Sequence, residues 1–311
     1  MPDGAIKSVR RICPKFRFGQ RFCISAKMIL PCKPIAERIK KEVKRELGNL
    51  SEVSLRTKVP LRIEVPHLVS VQVGDNKGVR IYADAQKKVC EEIGIRYSVQ
   101  YFKDISEKDL ISFIQELNSD KDVSGIIVHL PLPAYIQPKR VFAALKLEKD
   151  VEGMHPRSDI VPCTALAIIE ILKETKIRLR GKEVVIIGNS DCVGKPLFNL
   201  LLDRMATLTS CNITTRDLIS HTQRADVLIV AVGKPNFIKP EMVKKRAVII
   251  DVGINYVGNR VVGDVDRKVE KKARFLTPVP GGVGLITTAM LMKNTLDCFK
   301  LQATGYSSTL P

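Results

Sequence analysis

One pattern constrains this chain more than any other: short runs of β-branched and apolar residues, closed by glycine or proline, alternate with segments whose apolar positions recur at helical spacing. From Pro34 onward, Ile35, Ile39, Val43 and Leu47 return every four residues, the stripe of one helix face. The pattern then predicts a strand over 68–73, a helix over 82–92 that stops at Gly94, a strand over 98–102 and a helix over 107–118. A strand over 125–130, closed by Pro131, and a helix over 139–145 follow. After Pro162 come a helix over 166–173, a strand at Glu183–Ile187, a helix from Pro196, a strand over 206–211 and a helix over 216–223. A strand over 227–232, a helix over 240–245 and a strand over 248–252 complete the series, and a last helix over 287–299 is expected to return to the first half. Such alternation builds parallel sheets with helices on their faces. The expected fold is therefore α/β with two domains, one from 28–156 plus 285–302 and a Rossmann-type doubly wound sheet from 157–284.

Length and composition agree. A chain of 311 residues with 45% hydrophobic content can bury a core for one large or two modest domains. No apolar run approaches the roughly 18 residues that cross a bilayer, which argues against a membrane role. The cysteines (Cys13, Cys23, Cys32, Cys90, Cys163, Cys192, Cys211, Cys298) are scattered, with no C-x-x-C pair and no histidine cluster at metal spacing, and read as reduced thiols of an intracellular protein without a metal site.

The net charge of +18 admits a nucleic-acid partner, a basic targeting segment or an anionic small-molecule substrate. Part of it is local, because residues 1–30 carry Lys7, Arg10, Arg11, Lys15, Arg17, Arg21 and Lys27 against Asp3 alone. Elsewhere lysines sit beside glutamates on helical faces, and no aromatic-interleaved basic stripe occurs, which argues against nucleic acid. The basic start has the composition of a mitochondrial presequence; a start assigned upstream of Met28 would look the same. Residues 1–27 and the tail 303–311 stay outside the fold argument, and the compartment expected is cytoplasmic, or the mitochondrial matrix if 1–27 is a presequence.

Three glycine-bearing segments close consecutive strands of the second domain: Gly188-Asn-Ser-Asp-Cys-Val-Gly194, Ala231-Val-Gly-Lys-Pro235 and Asp251-Val-Gly-Ile-Asn255. Loops at the carboxyl ends of parallel strands are where open α/β sheets bind ligands. A glycine turn leading into a helix suits pyrophosphate, because backbone N–H groups and the helix dipole face the anion. The first segment is G-x-x-x-x-x-G rather than G-x-G-x-x-G, and by itself it is equally a turn.

The order of segments then becomes specific. Val73-Gly-Asp75, His129-Leu-Pro-Leu-Pro133, Lys149-Asp-Val-Glu-Gly153, His155-Pro156, Pro162-Cys-Thr164, the three glycine loops, Gly263-Asp-Val265 and Thr277-Pro-Val-Pro-Gly-Gly-Val-Gly284 together resemble the bifunctional methylenetetrahydrofolate dehydrogenase/cyclohydrolase family over about residues 30–302. The resemblance implies a folate-binding first domain and a dinucleotide-binding second one, tetrahydrofolate derivatives (polyglutamylated) as substrates, NAD or NADP as cofactor, and a homodimer. It implies folate contacts at Tyr82, Glu152, Pro280, Gly281 and Gly282, and dinucleotide contacts at Gly188, Asn189, Ser190, Val193, Gly194, Ile213, Gly233 and Ile254.

Several positions depart from the family pattern. Gln86 stands where the family has the lysine of Y-x-x-x-K, His129 where it has glutamine, Glu152 for aspartate and Val79 for serine, and the stretch from Pro156 to Pro162 is shortened. Tyr82, Gln86 and His129 are the candidate catalytic residues. Hydride loss from the one-carbon bridge needs alignment more than a proton acceptor, whereas hydrolysis of the resulting cation needs a group that exchanges protons, which an amide cannot do. The expected function is NAD(P)-linked oxidation of 5,10-methylenetetrahydrofolate with cyclohydrolase weak or lost. The alternatives are a bifunctional enzyme in which His129 is the acid/base, and a degenerate folate- or dinucleotide-binding protein. NAD is expected over NADP, because Asn189 and Ile213 cannot neutralise a 2′-phosphate and Asp191 adds negative charge; Arg216, a few residues on, is the main candidate for the opposite preference.

Overall fold

The structure, a computed structural model, describes residues 28–57, 65–258 and 260–304. The expectations for residues 1–27 and for the tail beyond 304 lie outside the described residues. Among the described residues, eleven strands and eight α-helices follow one another, most of them in the alternation read from the sequence.

The first sheet has three parallel strands, β2 (His67–Val73), β3 (Arg96–Phe102) and β4 (Gly125–Val128), in the order β3-β2-β4. Residue pairing across it is Leu68 with Tyr97 and Gly125, then Ser70 with Val99 and Ile127. Side chains alternate along a strand, so Leu68, Ser70 and Gln72 share one face with Tyr97 and Ile127. The opposite face, Val69, Val71, Ile126 and Val128, packs under α3 (Glu107–Ser119) and α4 (Pro138–Ala143) in one apolar cluster.

Helices α1 (Cys32–Thr57) and α2 (Lys77–Ile93) belong to the Ser70 side. The four-residue stripe of α1 is buried as expected, from Ile35 to Leu47. On α2, Asn76 caps the first turn by accepting from the N–H groups of Gly78 and Val79, and Gly94 ends the helix at φ 97°, a left-handed conformation that glycine adopts without steric cost. Its buried stripe is Val79, Ala83, Gln86, Cys90 and Ile93, which puts a glutamine in an apolar row.

The second sheet has six parallel strands: β1 (Met28–Ile29), β5 (Glu183–Ile187), β6 (Thr207–Cys211), β7 (Val227–Val230), β8 (Val248–Asp251) and β11 (Phe275–Leu276), in the order β1-β11-β8-β7-β5-β6. The order reverses at β5, the switch point of a doubly wound sheet. Helices α5 (Cys163–Glu174), α6 (Gly194–Leu202) and α7 (Leu218–Arg224) accompany it. Residues 28–29, expected with the first domain, add to the edge of this second sheet. The helix expected over 240–245 is a single 3₁₀ turn, Pro240–Met242, because the chain turns extended at Val243 (φ −113°, ψ 138°), whose side chain is buried. A hairpin of β9 (Asn255–Val257) and β10 (Arg260–Val262) was not anticipated.

The last helix, α8 (Val283–Thr304), starts four residues earlier than expected and returns to the first domain, packing on α1, α2 and α5. Asn294 Nδ2 donates to the carbonyls of Val151 (2.9 Å) and Val161 (3.4 Å), so α8 holds the segment that joins the two sheets. Cys32, Cys90, Cys163, Cys192, Cys211 and Cys298 carry free thiols. Among the described residues no helix is long and apolar enough to cross a membrane.

Candidate active site

A cleft with two adjoining lobes, of about 390 and 250 Å³, lies where the carboxyl ends of both sheets meet. Tyr82, His129, Leu130, Val252, Ile254, Val283 and Gly284 border both lobes. The larger lobe runs along the start of α2 and the Pro280-Gly281-Gly282 loop, under Tyr256 of the β9–β10 hairpin. The smaller one is bounded by Glu152, Cys163 and Thr164 on one side and by Cys192 of the first glycine loop on the other.

The wall from the first domain rests on strand and helix periodicity. Tyr82 and Gln86 are one helical turn apart on α2 and so lie on the same side. Tyr82 reaches the cleft, its ring edge-on to His129 at 5.9 Å between centroids, and its hydroxyl is in hydrogen-bond reach of Gln86 and Thr288. Gln86 is fully buried beneath it and borders neither lobe; its Oε1 accepts from the Tyr97 hydroxyl at 3.1 Å, while its Nε2 has no partner. His129 extends the ladder of β4 by one residue, donating its N–H to Val71 O at 3.0 Å, and its Nε2 is 2.9 Å from Ser70 Oγ. Burial pushes the His129 ring down to about 4, so it is neutral at physiological pH. Burial of the phenol raises Tyr82 well above its ordinary value, with Glu152 adding to the shift. Burial, then the neighbouring Asp150 carboxylate, pushes Glu152 up to about 8.

The second domain contributes the glycine loops. A Cβ at Gly188 (φ 117°) would overlap the Ala231 carbonyl oxygen, and one at Gly194 would overlap the carbonyl of Gly188, so only glycine permits this close turn into α6. A Cβ at Gly233 would meet nothing, which leaves bare backbone facing open space after β7. Two buried carboxylates hold these loops. Asp264 Oδ2 accepts from the N–H groups of Val232 (2.7 Å) and Gly233 (3.0 Å), and its Oδ1 accepts from Asn255 Nδ2 (2.8 Å). Asp251 accepts from the N–H groups of Gly253, Asp264 and Val265, and burial pushes it up to about 6. Close-set N–H groups, a helix start and bare glycine backbone at a switch point suit a pyrophosphate-linked dinucleotide.

Of the expected folate residues, Tyr82, Glu152, Pro280, Gly281 and Gly282 all border the cleft, as does His129. Of the expected dinucleotide residues, only Ile254 does. Gly188, Asn189, Ser190, Val193 and Gly194 form the turn from β5 to α6, Gly233 follows β7, and Ile213 is exposed beyond β6. Asn189 Oδ1 accepts from Ser210 Oγ at 2.8 Å, and Asp191 pairs with Lys195, which reduces its negative field. Sequence reasoning missed Ser70, Gln72, Tyr97, Thr288, Cys192 and the clamping role of Asp264. The signal for the first two was present, since two polar residues alternate along a strand otherwise apolar on both faces and buried polar groups need partners.

Comparison with known proteins agrees with this geometry. Residues 30–152 match the model of the catalytic domain of tetrahydrofolate dehydrogenase/cyclohydrolase, and residues 162–303 match that of its NAD(P)-binding domain. The chain is 43% identical over 287 residues to the bifunctional protein FolD of Sulfurihydrogenibium sp., covering 88% of this chain and 98% of that one. Among solved structures it is similar to a 5,10-methylenetetrahydrofolate dehydrogenase from the silkworm Bombyx mori (39% identity, TM-score 0.80, 89% of this chain and 99% of the other). It is also similar to the Trypanosoma brucei methylenetetrahydrofolate dehydrogenase-cyclohydrolase complexed with NADP and an inhibitor (31% identity, TM-score 0.81, 88% and 97%). With two domain models covering most of its length and relatives at this identity, the chain belongs to the tetrahydrofolate dehydrogenase/cyclohydrolase family.

Proposed function

We propose that this family member oxidises 5,10-methylenetetrahydrofolate to the 5,10-methenyl form with a nicotinamide dinucleotide, NAD in preference to NADP, and that its hydrolysis of the methenyl product is weak or absent. The folate-binding unit in this reading is 28–156 with 285–302, and the dinucleotide unit is 157–284. The observation that carries the reading is the state of the two rebuilt positions: Gln86 is an amide buried out of the cleft, and His129 is a ring that burial keeps neutral. Neither exchanges protons near pH 7, yet hydride loss does not require that they do.

Tyr82 packs its ring along the folate, Glu152 receives the N–H edge of the pterin, and Pro280 to Gly282 lay backbone against the substrate. Gly188 to Gly194 and Gly233 hold the dinucleotide, whose nicotinamide supplies the hydride acceptor. Ile254, bordering both lobes, separates the reacting groups from water. The preference for NAD is supported by the apolar Ile213 and by Asn189, already engaged with Ser210. The substrate is polyglutamylated and the protein a homodimer in this reading, both carried by the family likeness.

The test is a steady-state assay of the full chain with methylenetetrahydrofolate and each dinucleotide, followed by hydrolysis of supplied methenyltetrahydrofolate. Dehydrogenation without hydrolysis above the buffer rate is expected. Robust enzyme-dependent hydrolysis would overturn the lost-cyclohydrolase reading. A higher kcat/KM with NADP, abolished by Arg216→Ala, would overturn the cofactor preference.

A further inference from the structure

Large apolar side chains from both domains stand exposed around one lobe of the cleft. Ile81 of α2, Leu130 after β4, Leu285 of α8, and Ile254 and Tyr256 of the second domain are each between 41% and 56% exposed, and all border the larger lobe. Apolar residues exposed singly need no explanation, but a set of them rimming a cavity marks a ligand groove. The ligand must therefore offer apolar surface here. The smaller lobe differs, because the Glu152 carboxyl group lines it.

Tyr256 is delivered to this rim by the β9–β10 hairpin. It is paired with Val261, and opposed residues of an antiparallel pair share a face, so the face they form is the one that borders the lobe. The base of the hairpin is fixed to the second domain by Asn255, whose Nδ2 donates to Asp264 Oδ1 at 2.8 Å. The ring reaches the first domain. A Cβ added at Gly78 would stand 3.3 Å from Tyr256 Cε2 and 3.8 Å from its hydroxyl oxygen. Gly78 lies in the first turn of α2, where its N–H donates to Asn76 Oδ1 at 2.8 Å, and its φ is outside the left-handed region. Backbone conformation therefore does not call for glycine, which weakens a helix relative to alanine. What glycine supplies is room, for the Tyr256 ring and for Asn76 Oδ1, 3.1 Å from the same point. Gly78 and Tyr82 are one helical turn apart, so Tyr256 is seated on the side of α2 that carries the Tyr82 ring.

We propose that Tyr256 is a specificity residue that clasps the aromatic arm of the folate, its ring closing from the second domain over the larger lobe with Gly78 as its seat. This rests on the folate reading of the cleft. Beyond the polar pterin, which Glu152 receives, a folate carries an aryl ring on a short linker, and an aryl face is what the apolar rim of the larger lobe can cover. The clasp touches the arm and not the pterin, so it separates folates from pterins that have no arm. An arm in contact with Tyr82 and Tyr256 also ties the two domains together while substrate is bound.

The experiment compares two ligands of the full chain, tetrahydrofolate and 6-methyltetrahydropterin, which has the pterin without the arm. The inhibition constant of each against methylenetetrahydrofolate oxidation is measured, with the dinucleotide KM alongside. Tyr256→Ala should weaken tetrahydrofolate about tenfold, the loss of one aromatic contact, and leave the pterin and the dinucleotide within about twofold. Tyr256→Phe, which keeps the ring, should bind tetrahydrofolate within about twofold of the native chain. Gly78→Ala, which crowds the seat, should weaken tetrahydrofolate about threefold with Tyr256 present and not at all in Tyr256→Ala, the non-additivity of side chains in contact. If Tyr256→Ala does not fold, Tyr256→Thr, a good strand former without a ring, takes its place with the same expectation. Equal weakening of tetrahydrofolate and the pterin overturns the proposal, as does a Gly78→Ala effect that persists without Tyr256. Folate turnover with an inhibition constant indifferent to Tyr256→Ala defeats the clasp alone, whereas a native chain that neither binds nor oxidises folate defeats the folate reading and the clasp with it.

Discussion

Tyr82 borders both lobes of the cleft, and its hydroxyl is in hydrogen-bond reach of Gln86 and Thr288. Tyr82→Ala should therefore raise KM for the folate by about tenfold or more, the loss of a buried aromatic contact, and leave the dinucleotide KM within about twofold. Steady-state kinetics with each substrate varied checks this; equal loss of both would point to general damage. Glu152 yields a pH prediction. Folded, it keeps its proton up to about 8, while an unfolded glutamate releases it near 4.5, so the folded state binds more protons in that window. Its contribution to stability is complete below 4.5 and is lost as pH rises through 8. Glu152→Gln, neutral at every pH, should match the native Tm at pH 4.5 and exceed it increasingly toward pH 8.5, in thermal unfolding followed by circular dichroism. At this scale the sequence was readable for residue identity and silent on protonation. His129 was visible as a histidine at a strand end, but its burial depends on Tyr82 of α2 packing against it and on Ser70 of β2 meeting its ring.

Among the elements, the glycine loops are stiffened by side chains far from them in sequence. Asp264 receives three hydrogen bonds that tie the loop after β7 to the start of β9. Asp264→Ala would strand those buried donors and should cost about 3–5 kcal/mol, with a raised dinucleotide KM in whatever fraction remains folded. Urea unfolding and dinucleotide titration measure the two effects, and a loss of stability without any change in KM would mean that the clamp does not shape the site. Element types were legible nearly throughout, because hydrophobic period and glycine punctuation are local properties. The exceptions have separate causes. The two-residue strands β1 and β11 are too short to show a period, and in the β9–β10 hairpin Tyr256 and Val257 stay about half exposed, so no buried face marks it. The segment at 240–245 has a helical composition, but the chain leaves the helix at Val243, which is extended and buried.

In the whole molecule, α8 is the member that makes one cleft from two sheets. It packs on helices of both, and Asn294 fastens the connecting segment through the Val151 and Val161 carbonyls. Asn294→Ala should lower stability by about 1–3 kcal/mol and raise KM for folate and dinucleotide together, because both walls of the cleft lose their common support. Thermal unfolding and kinetics with both substrates varied would detect it. A change confined to one substrate would place the support in a single domain.

The order of the main helices and strands, the two parallel sheets, the loops at their carboxyl ends and the family follow from the sequence alone, since each depends on residue type and spacing along the chain. The sequence also identified the replaced positions, Gln86, His129 and Glu152. Their surroundings were decided only by the tertiary structure. Gln86 lies on the buried stripe of α2 and is covered by Tyr82 and Tyr97, Ser70 is brought against His129 by the pairing of β2 with β4, and Glu152 is enclosed beside Asp150. Desolvation and hydrogen-bond direction depend on which groups meet in space, and those meetings join residues separated by tens of positions along the chain.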